Sequence, residues 1–391
     1  MRTLFFFTIL FFVEYGYGIQ RNSVLHDTGN LTFELTKEKI IIPVQISGKT
    51  YRFLVDTGGV FEISEALQNK FNFNQKAATT IVDINRNEID IKTVVVPEIK
   101  LGNWSFKNRK AIVSDLHHKY PYSCFELDGM IGRDFFVDVI LHFDYASNTF
   151  RLSENIEAIE TDIYNKTKLK LSRRGLPNIK LKINGKSKYI EFDSGSGDFY
   201  SPKTSDVENR LNTAPDGDIL KFSGEFSFGV TMDNIQNTNR YLEKMESFQI
   251  ANTTFTNFYS QFSKVSAPRI GAEILKYGKV TLDYKNGWFY YQSYSKNQVL
   301  RPYESFGFDI AIENGYYKVK YILEGSDADK LGLRPGYKII KINNVATQNI
   351  SNDCDGYLYG YAFKNSENIN VTFLNDKRKE KTIALSLKTY N

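Results

Sequence analysis

Apolar and polar residues alternate through Val44-Gln45-Ile46-Ser47 and again through Leu181-Lys182-Ile183-Asn184, and each run is followed by a Gly-Lys pair, Gly48-Lys49 and Gly185-Lys186. A period of two predicts a strand in each place, and the Gly pairs predict hairpin turns. Asn184-Gly185 is the stronger turn signal, because both residues tolerate positive φ. A returning apolar strand follows in both places, Phe53-Leu54-Val55 and Ile190-Glu191-Phe192, and each ends in the same tripeptide type: Asp56-Thr57-Gly58 and Asp193-Ser194-Gly195, 137 positions apart. Ile99-Lys100-Leu101-Gly102-Asn103-Trp104-Ser105-Phe106 likewise corresponds to Phe248-Gln249-Ile250-Ala251-Asn252-Thr253-Thr254-Phe255. Met130-Ile131-Gly132-Arg133-Asp134 answers Arg269-Ile270-Gly271-Ala272-Glu273, and Asp144-Tyr145 answers Asp283-Tyr284, both at an offset of 139. Offsets of 137 and 139 at the aspartate tripeptides, the later Gly turns and the closing strands imply that residues 40–155 and 177–294 are two copies of one unit. They predict two β-rich lobes related by a pseudo-twofold, each long enough to hold its own core.

The pattern changes outside the copies. A basic residue, Arg2, precedes an apolar run from Leu4 to Val13, with Gly16 and Gly18 in the spacing that signal peptidase accepts. Residues 1–18 are read as a cleaved secretory signal, since the run is shorter than the ~20 residues needed to span a bilayer. An uncleaved anchor is the alternative. Residues 155–176 are polar and mixed in charge, a linker or an exposed strand, and a second linker follows Tyr294. From Arg301 onward Val319-Lys320-Tyr321-Ile322 and Lys338-Ile339-Ile340-Lys341-Ile342 predict strands. Between them, Ser326 to Leu331 predicts a short helix with an acidic first turn, and Pro335-Gly336 a turn. The expected units are a signal at 1–18, lobe one at 31–155, lobe two at 165–297 and a C-terminal domain at 301–391.

Composition agrees and removes alternatives. A chain of 391 residues suggests roughly two to four domains. With 41% apolar and 24% charged residues it can build real cores, and 15% aromatics favour β-structure. Fifty Lys+Arg against 45 Asp+Glu, with no basic block, argue against a nucleic-acid binder. Cys124 and Cys354 are too few for a disulfide framework and lack a CxxC partner for zinc, and the 4 His form no metal cluster. An exported chain so poor in Cys is expected to be stabilised by its cores rather than by staples. No second apolar run approaches membrane length.

A single Asp-[Thr/Ser]-Gly is weak, and Asp27-Thr28-Gly29 is a third match. It follows Leu25-His26 instead of an apolar strand and has no counterpart in the repeat, so it is assigned to a loop. Asp56 and Asp193 differ from it: each stands at the end of an apolar strand, at equivalent places of a duplication. On these motifs residues 40–294 resemble the two lobes of a single-chain aspartic protease, closer in style to the retropepsin-like and bacterial aspartyl proteases than to pepsin. The resemblance implies a bilobal pseudo-twofold fold of two β-barrel-like lobes, with Asp56 and Asp193 as the catalytic pair. Thr57 and Ser194 would then fasten the loops to each other, and Gly58 and Gly195 would let the loops approach closely. Two carboxyls within hydrogen-bond reach share one proton and so carry an acid and a base at once, which calls for no metal or cofactor. Ser196, with Gly59 as its lobe-one counterpart, is expected to donate to the outer oxygen of Asp193. That would make Asp193 the base and Asp56 the acid. Glu191, where an apolar residue is usual, is expected to face solvent. A hairpin near Asn85-Arg86-Asn87 is the candidate flap.

Residues 301–391 resemble an α+β PDZ domain of the bacterial type. Ser305-Phe306-Gly307-Phe308 stands where that family has its carboxylate-binding loop, and Ser351 to Phe363 where it has its groove-lining helix; Tyr337 replaces the usual Asp after Pro-Gly. The resemblance implies that Phe306, Gly307 and Phe308 bind a peptide C-terminus. The combined reading is a mainly β, exported aspartic endopeptidase (periplasmic, cell-surface or secreted) that takes peptide or protein substrate. The alternatives are a catalytically inactive protease-like protein that grips peptides, and a highly selective processing protease.

Overall fold

The two predicted hairpin turns form with the same backbone. Ser47 and Gly48 have φ of 51° and 76°, and Asn184 and Gly185 have 46° and 75°. Two consecutive left-handed residues match the twist of the flanking strands. They join Lys39–Ile46 to Lys49–Asp56 and Pro177–Ile183 to Lys186–Phe192. In Pro177–Ile183 every second side chain is buried, as the alternation requires. These features come from a computed structural model that describes residues 26–390, apart from 83–87, 115–121, 212, 216, 228–234, 257, 262–266, 296–297, 300–302, 348–353 and 360. The signal at 1–18 and the flap candidate at Asn85-Arg86-Asn87 therefore lie outside the described residues.

The chain is mainly β, with 55% strand and 12% helix. Lobe one is an eight-stranded sheet in which Lys39–Ile46 pairs back to Glu88–Leu101 through Gln45 and Lys100, giving a barrel-like closure. Its central strand, Lys49–Asp56, lies parallel to Gly129–Gly132, with Asp56 opposite Gly132. Lobe two repeats this: Lys186–Phe192 lies parallel to Arg269–Ile270, with Phe192 opposite Ile270.

The lobes join through Ile140–Asp144 and Gly278–Asp283, which pair antiparallel at the centre of a 12-stranded sheet. In that register His142 faces Thr281, which is its own counterpart in the repeat, so the pseudo-twofold axis passes between them. The polar segment after lobe one supplies a further strand of this sheet, Lys166–Leu171. The expectation of two separate cores is corrected. One buried cluster runs from Phe33 and Val55 through Phe143 and Val280 to Phe192 and Tyr291, because the shared sheet carries both lobes' apolar faces. The aromatic excess sits here: Phe199 makes edge contacts with Phe248, Phe255, Phe258 and Tyr277.

The C-terminal module has its own core around Phe308, Val319, Ile339, Val371 and Phe373. Within the segment expected to line its groove, Cys354–Tyr359 is an α-helix and Ala362–Asn365 a 3-10 turn. The module is not merely tethered. A long lobe-two hairpin, Ile219–Ser227 and Ile235–Met245, leaves its lobe and joins the module's sheet, with Phe222, Ser223 and Gly224 opposite Leu323, Ile322 and Tyr321. A Cβ at Gly224 would sit 2.3 Å from the Lys320 carbonyl oxygen, so this approach needs glycine.

The module is also bound to lobe one, which corrects the reading of the cysteines. Cys124 and Cys354 form a disulfide across 230 residues, and Phe125 packs edge-on against Tyr357 beside it. Among the described residues no helix is long and apolar enough to cross a membrane.

Candidate active site

The strands Lys49–Asp56 and Lys186–Phe192 run toward the axis from opposite sides, so the loops that follow them meet there. The meeting is fixed by four buried hydrogen bonds. The Thr57 amide donates to Ser194 Oγ at 2.9 Å, and the Ser194 amide to Thr57 Oγ1 at 3.0 Å. Each hydroxyl then donates onward to a carbonyl of the opposite lobe, Thr57 to Phe192 at 2.7 Å and Ser194 to Val55 at 2.9 Å. Both side chains are fully buried, so no water competes for these groups.

This clamp brings Asp56 and Asp193 into hydrogen-bond contact with each other. Each carboxylate reaches over the other loop's glycine. A Cβ on Gly58 would lie 2.9 Å from Asp193 Oδ1, and one on Gly195 would lie 2.3 Å from Asp56 Oδ2. A side chain at Gly195 would therefore displace Asp56. Asp56 Oδ1 accepts from the amides of Gly58 and Gly59 at 2.8 and 2.9 Å, and Asp193 Oδ1 accepts from Gly195 at 3.1 Å.

Burial, and then the charge and hydrogen bond of Asp193, push Asp56 up to about 7 from its ordinary 3.8; the Gly58 amide and Lys39 oppose the rise. The outer oxygen of Asp193 has a different partner from the one expected. Arg269, not Ser196, donates to Oδ2, at 2.7 Å in an ion pair with little exposure. The Ser196 backbone instead closes the turn, its amide to the Asp193 carbonyl and its carbonyl to the Ala272 amide. Glu191 is corrected as well. It lies beside Arg269 in the strand pairing rather than facing solvent, and burial, with the Asp193 charge, raises it above the usual carboxylate range.

Three cations thus surround the pair. Besides Arg269, Lys39 donates to the Gly195 carbonyl, and Arg133 Nη1 holds the Gly58 and Gly59 carbonyls at 2.7 and 3.0 Å. None was picked out by motif. The one visible signal was in the repeat, where Arg269 stands opposite Met130 and Glu191 opposite Leu54.

The remaining candidates lie elsewhere. Asp27 is tied by both oxygens to Arg151, with the closest contact at 2.8 Å, and caps the Gly29 amide, a structural role. Phe306 and Phe308 are each 6% exposed and belong to the module's core, and the Gly307 amide donates to Ser305 Oγ at 2.9 Å. These phenylalanines also line a cavity of ≈ 320 Å³ with Phe222 and Arg240 of the lobe-two hairpin and Asp309 and Lys364 of the module.

A clamped carboxyl pair holding one proton and one charge can activate water and protonate a carbonyl oxygen together. No curated protein matches the chain. Residues 42–135, which carry the Asp56 loop and the turn that crosses beside it, match the aspartyl protease family.

Proposed function

We propose that the chain is an exported aspartic endopeptidase that hydrolyses peptide bonds with water activated between Asp56 and Asp193. The observation that carries this is the reciprocal clamp. Thr57 and Ser194 lock two equivalent loops so that their aspartates share one site. In the reaction Asp193, ionised, takes a proton from water as the oxygen attacks the scissile carbonyl. Asp56, protonated, gives its proton to the carbonyl oxygen, so the intermediate is a neutral diol. Its collapse breaks the C–N bond: the nitrogen takes the proton held by Asp193, and a diol hydroxyl returns one to Asp56. Both carboxyls end as they began.

The organisation accompanying this reading is a signal at 1–18, lobes at 31–155 and 165–297, and a PDZ-type module at 301–391 that binds peptide or protein termini at the Phe306-Gly307-Phe308 loop. The cavity that Phe306 and Phe308 share with Phe222 and Arg240 is the observation behind this assignment, since a cation beside apolar rings suits a terminal carboxylate and its side chain; Lys364 in the same wall is paired with Asp309.

The test is cleavage of a diverse peptide library from about pH 3 to about pH 8, beside Asp56→Asn and Asp193→Asn. Cleavage by the wild type that disappears in both variants is expected. Cleavage that survives in either removes the mechanism. Peptide binding without turnover in the wild type makes the chain a protease-like binding protein instead.

A further inference from the structure

The dyad is built on a twofold, yet its two halves are not alike. In lobe one the strand pairing beneath the aspartate sets Leu54 beside Met130. At the same register in lobe two it sets Glu191 beside Arg269. An apolar pair in one copy is replaced by an acidic and a basic residue in the other, and both positions have changed together. Arg269 uses that place to reach Asp193 Oδ2 at 2.7 Å, while its side chain is 14% exposed and that of Asp193 is 10% exposed.

We propose that Arg269 is a positioning residue that fixes the negative charge of the catalytic pair on Asp193 and thereby leaves the shared proton on Asp56. A guanidinium in direct contact stabilises the ionised carboxyl and disfavours the protonated one. Among the described residues Asp56 has no guanidinium in such contact. Its neighbours are the amides of Gly58 and Gly59, and Lys39, whose ammonium is engaged by the Gly195 carbonyl. Arg133 points its donors at backbone carbonyls. Glu191 adds a carboxyl beside Arg269 that feels the charges of Arg133 and Arg174 as well. Of these groups only Arg269 forms an ion pair with a member of the dyad. The rise of Asp56 to about 7 agrees with a proton that stays on that side. In a symmetric pair either carboxyl can hold the proton. Here the base and the acid are assigned before substrate arrives.

The inference rests on Asp56 and Asp193 being the catalytic pair, and the test separates the two. The full chain is assayed on one cleaved peptide across the pH range as wild type, Arg269→Met, Arg269→Lys and the double variant Glu191→Leu/Arg269→Met. The double variant rebuilds in lobe two the apolar pair of lobe one, so it keeps packing if the single variant does not fold. The expected result for the folded Met variants is a loss of kcat of about tenfold or more on the acid side, with KM within about twofold and the acid limb moved to higher pH. Arg269→Lys is expected to restore the position of that limb. Carboxyl carbon NMR of the dyad reads the same point without turnover. In wild type the Asp56 signal is expected to keep its protonated form up to about pH 7. In the double variant the two signals are expected to change together.

An unmoved acid limb and unchanged carboxyl titrations in the folded double variant overturn the proposal and leave the protease reading intact. Cleavage that persists in Asp56→Asn or Asp193→Asn overturns the protease reading itself.

Discussion

Thr57 and Ser194, equivalent residues of the two copies, each accept a hydrogen bond from the other's amide and each donate to a carbonyl of the other's lobe. Each hydroxyl therefore donates once and accepts once, in a fully buried place. Thr57→Val keeps the shape and removes the oxygen. It leaves the Ser194 amide and the Phe192 carbonyl buried and unpaired, at about 1–3 kcal/mol each. The variant is expected to lose about 2–6 kcal/mol in urea unfolding. Its kcat is expected to fall further than its KM rises, because the spacing of Asp56 and Asp193 depends on the clamp. Thr57→Ser, which retains the oxygen, is expected to keep most of both.

Asp56 makes stability depend on pH in a definite direction. Its carboxyl holds a proton up to about 7 in the fold and only to about 3.8 in the unfolded chain. Between those values the folded state binds more protons, so stability falls as pH rises. The favourable contribution is complete below about pH 4 and is lost through pH 7. An asparagine imitates the protonated carboxyl. Asp56→Asn is therefore expected to match the wild type near pH 4 and to exceed it near pH 8, by on the order of 3 kcal/mol, while cleaving nothing. Denaturation midpoints at the two pH values check this.

The duplication was legible because it repeats alternation, turns and aspartates at a near-constant offset, and the strand ends place Asp56 and Asp193 at the axis. The dismissal of Asp27 followed from the absence of a preceding apolar strand, and Arg151 explains its actual use. What was not legible depends on partners distant in sequence. Alternation identifies Ile219–Ser227 as a strand but does not say that it joins another domain's sheet. Cys124 and Cys354 carry no local sign of each other across 230 residues. Arg269 was visible as a departure from Met130, but its meaning needed the register that sets it beside Glu191 and under Asp193.

The disulfide closes a loop of 230 residues that contains all of lobe two. Chain entropy alone gives such a cross-link about 5 kcal/mol of stabilisation as an upper figure. It also anchors the helix Cys354–Tyr359 on lobe one, where Tyr357 and Leu358 pack on the Ile41, Leu54, Phe125 and Leu127 cluster. Cys124→Ser/Cys354→Ser is expected to lower the unfolding free energy by about 2–5 kcal/mol. The module is expected to be the first part cut in limited proteolysis, ahead of the lobes. A double variant as resistant as the wild type would show that the hairpin and the apolar cluster suffice to hold it.

His142 opposes Asp56 in the same pH window. It is 5% exposed, and its Nδ1 lies 2.7 Å from Thr281 Oγ1 on the pseudo-twofold axis. Burial is the main cause that lowers it from 6.5 to about 4; Lys279 and Arg151 push the same way and Asp144 opposes them. The fold thus holds a neutral imidazole where the unfolded chain would hold a charged one. Between about pH 4 and pH 6.5 the unfolded state binds more protons, so this contribution is present above pH 6.5 and lost as pH falls toward 4. An asparagine offers its amide where Nδ1 stood and does not titrate. His142→Asn is expected to remove an acid-side loss on the order of 3 kcal/mol, and the seam between the lobes should persist to lower pH than in the wild type. From about pH 4 to about pH 6.5 the contributions of His142 and Asp56 to stability run in opposite directions. The two variants should tilt it oppositely, His142→Asn toward greater stability at low pH and Asp56→Asn toward greater stability at high pH. Tilts of the same sign in parallel urea titrations would show that one of the two groups titrates otherwise in the fold.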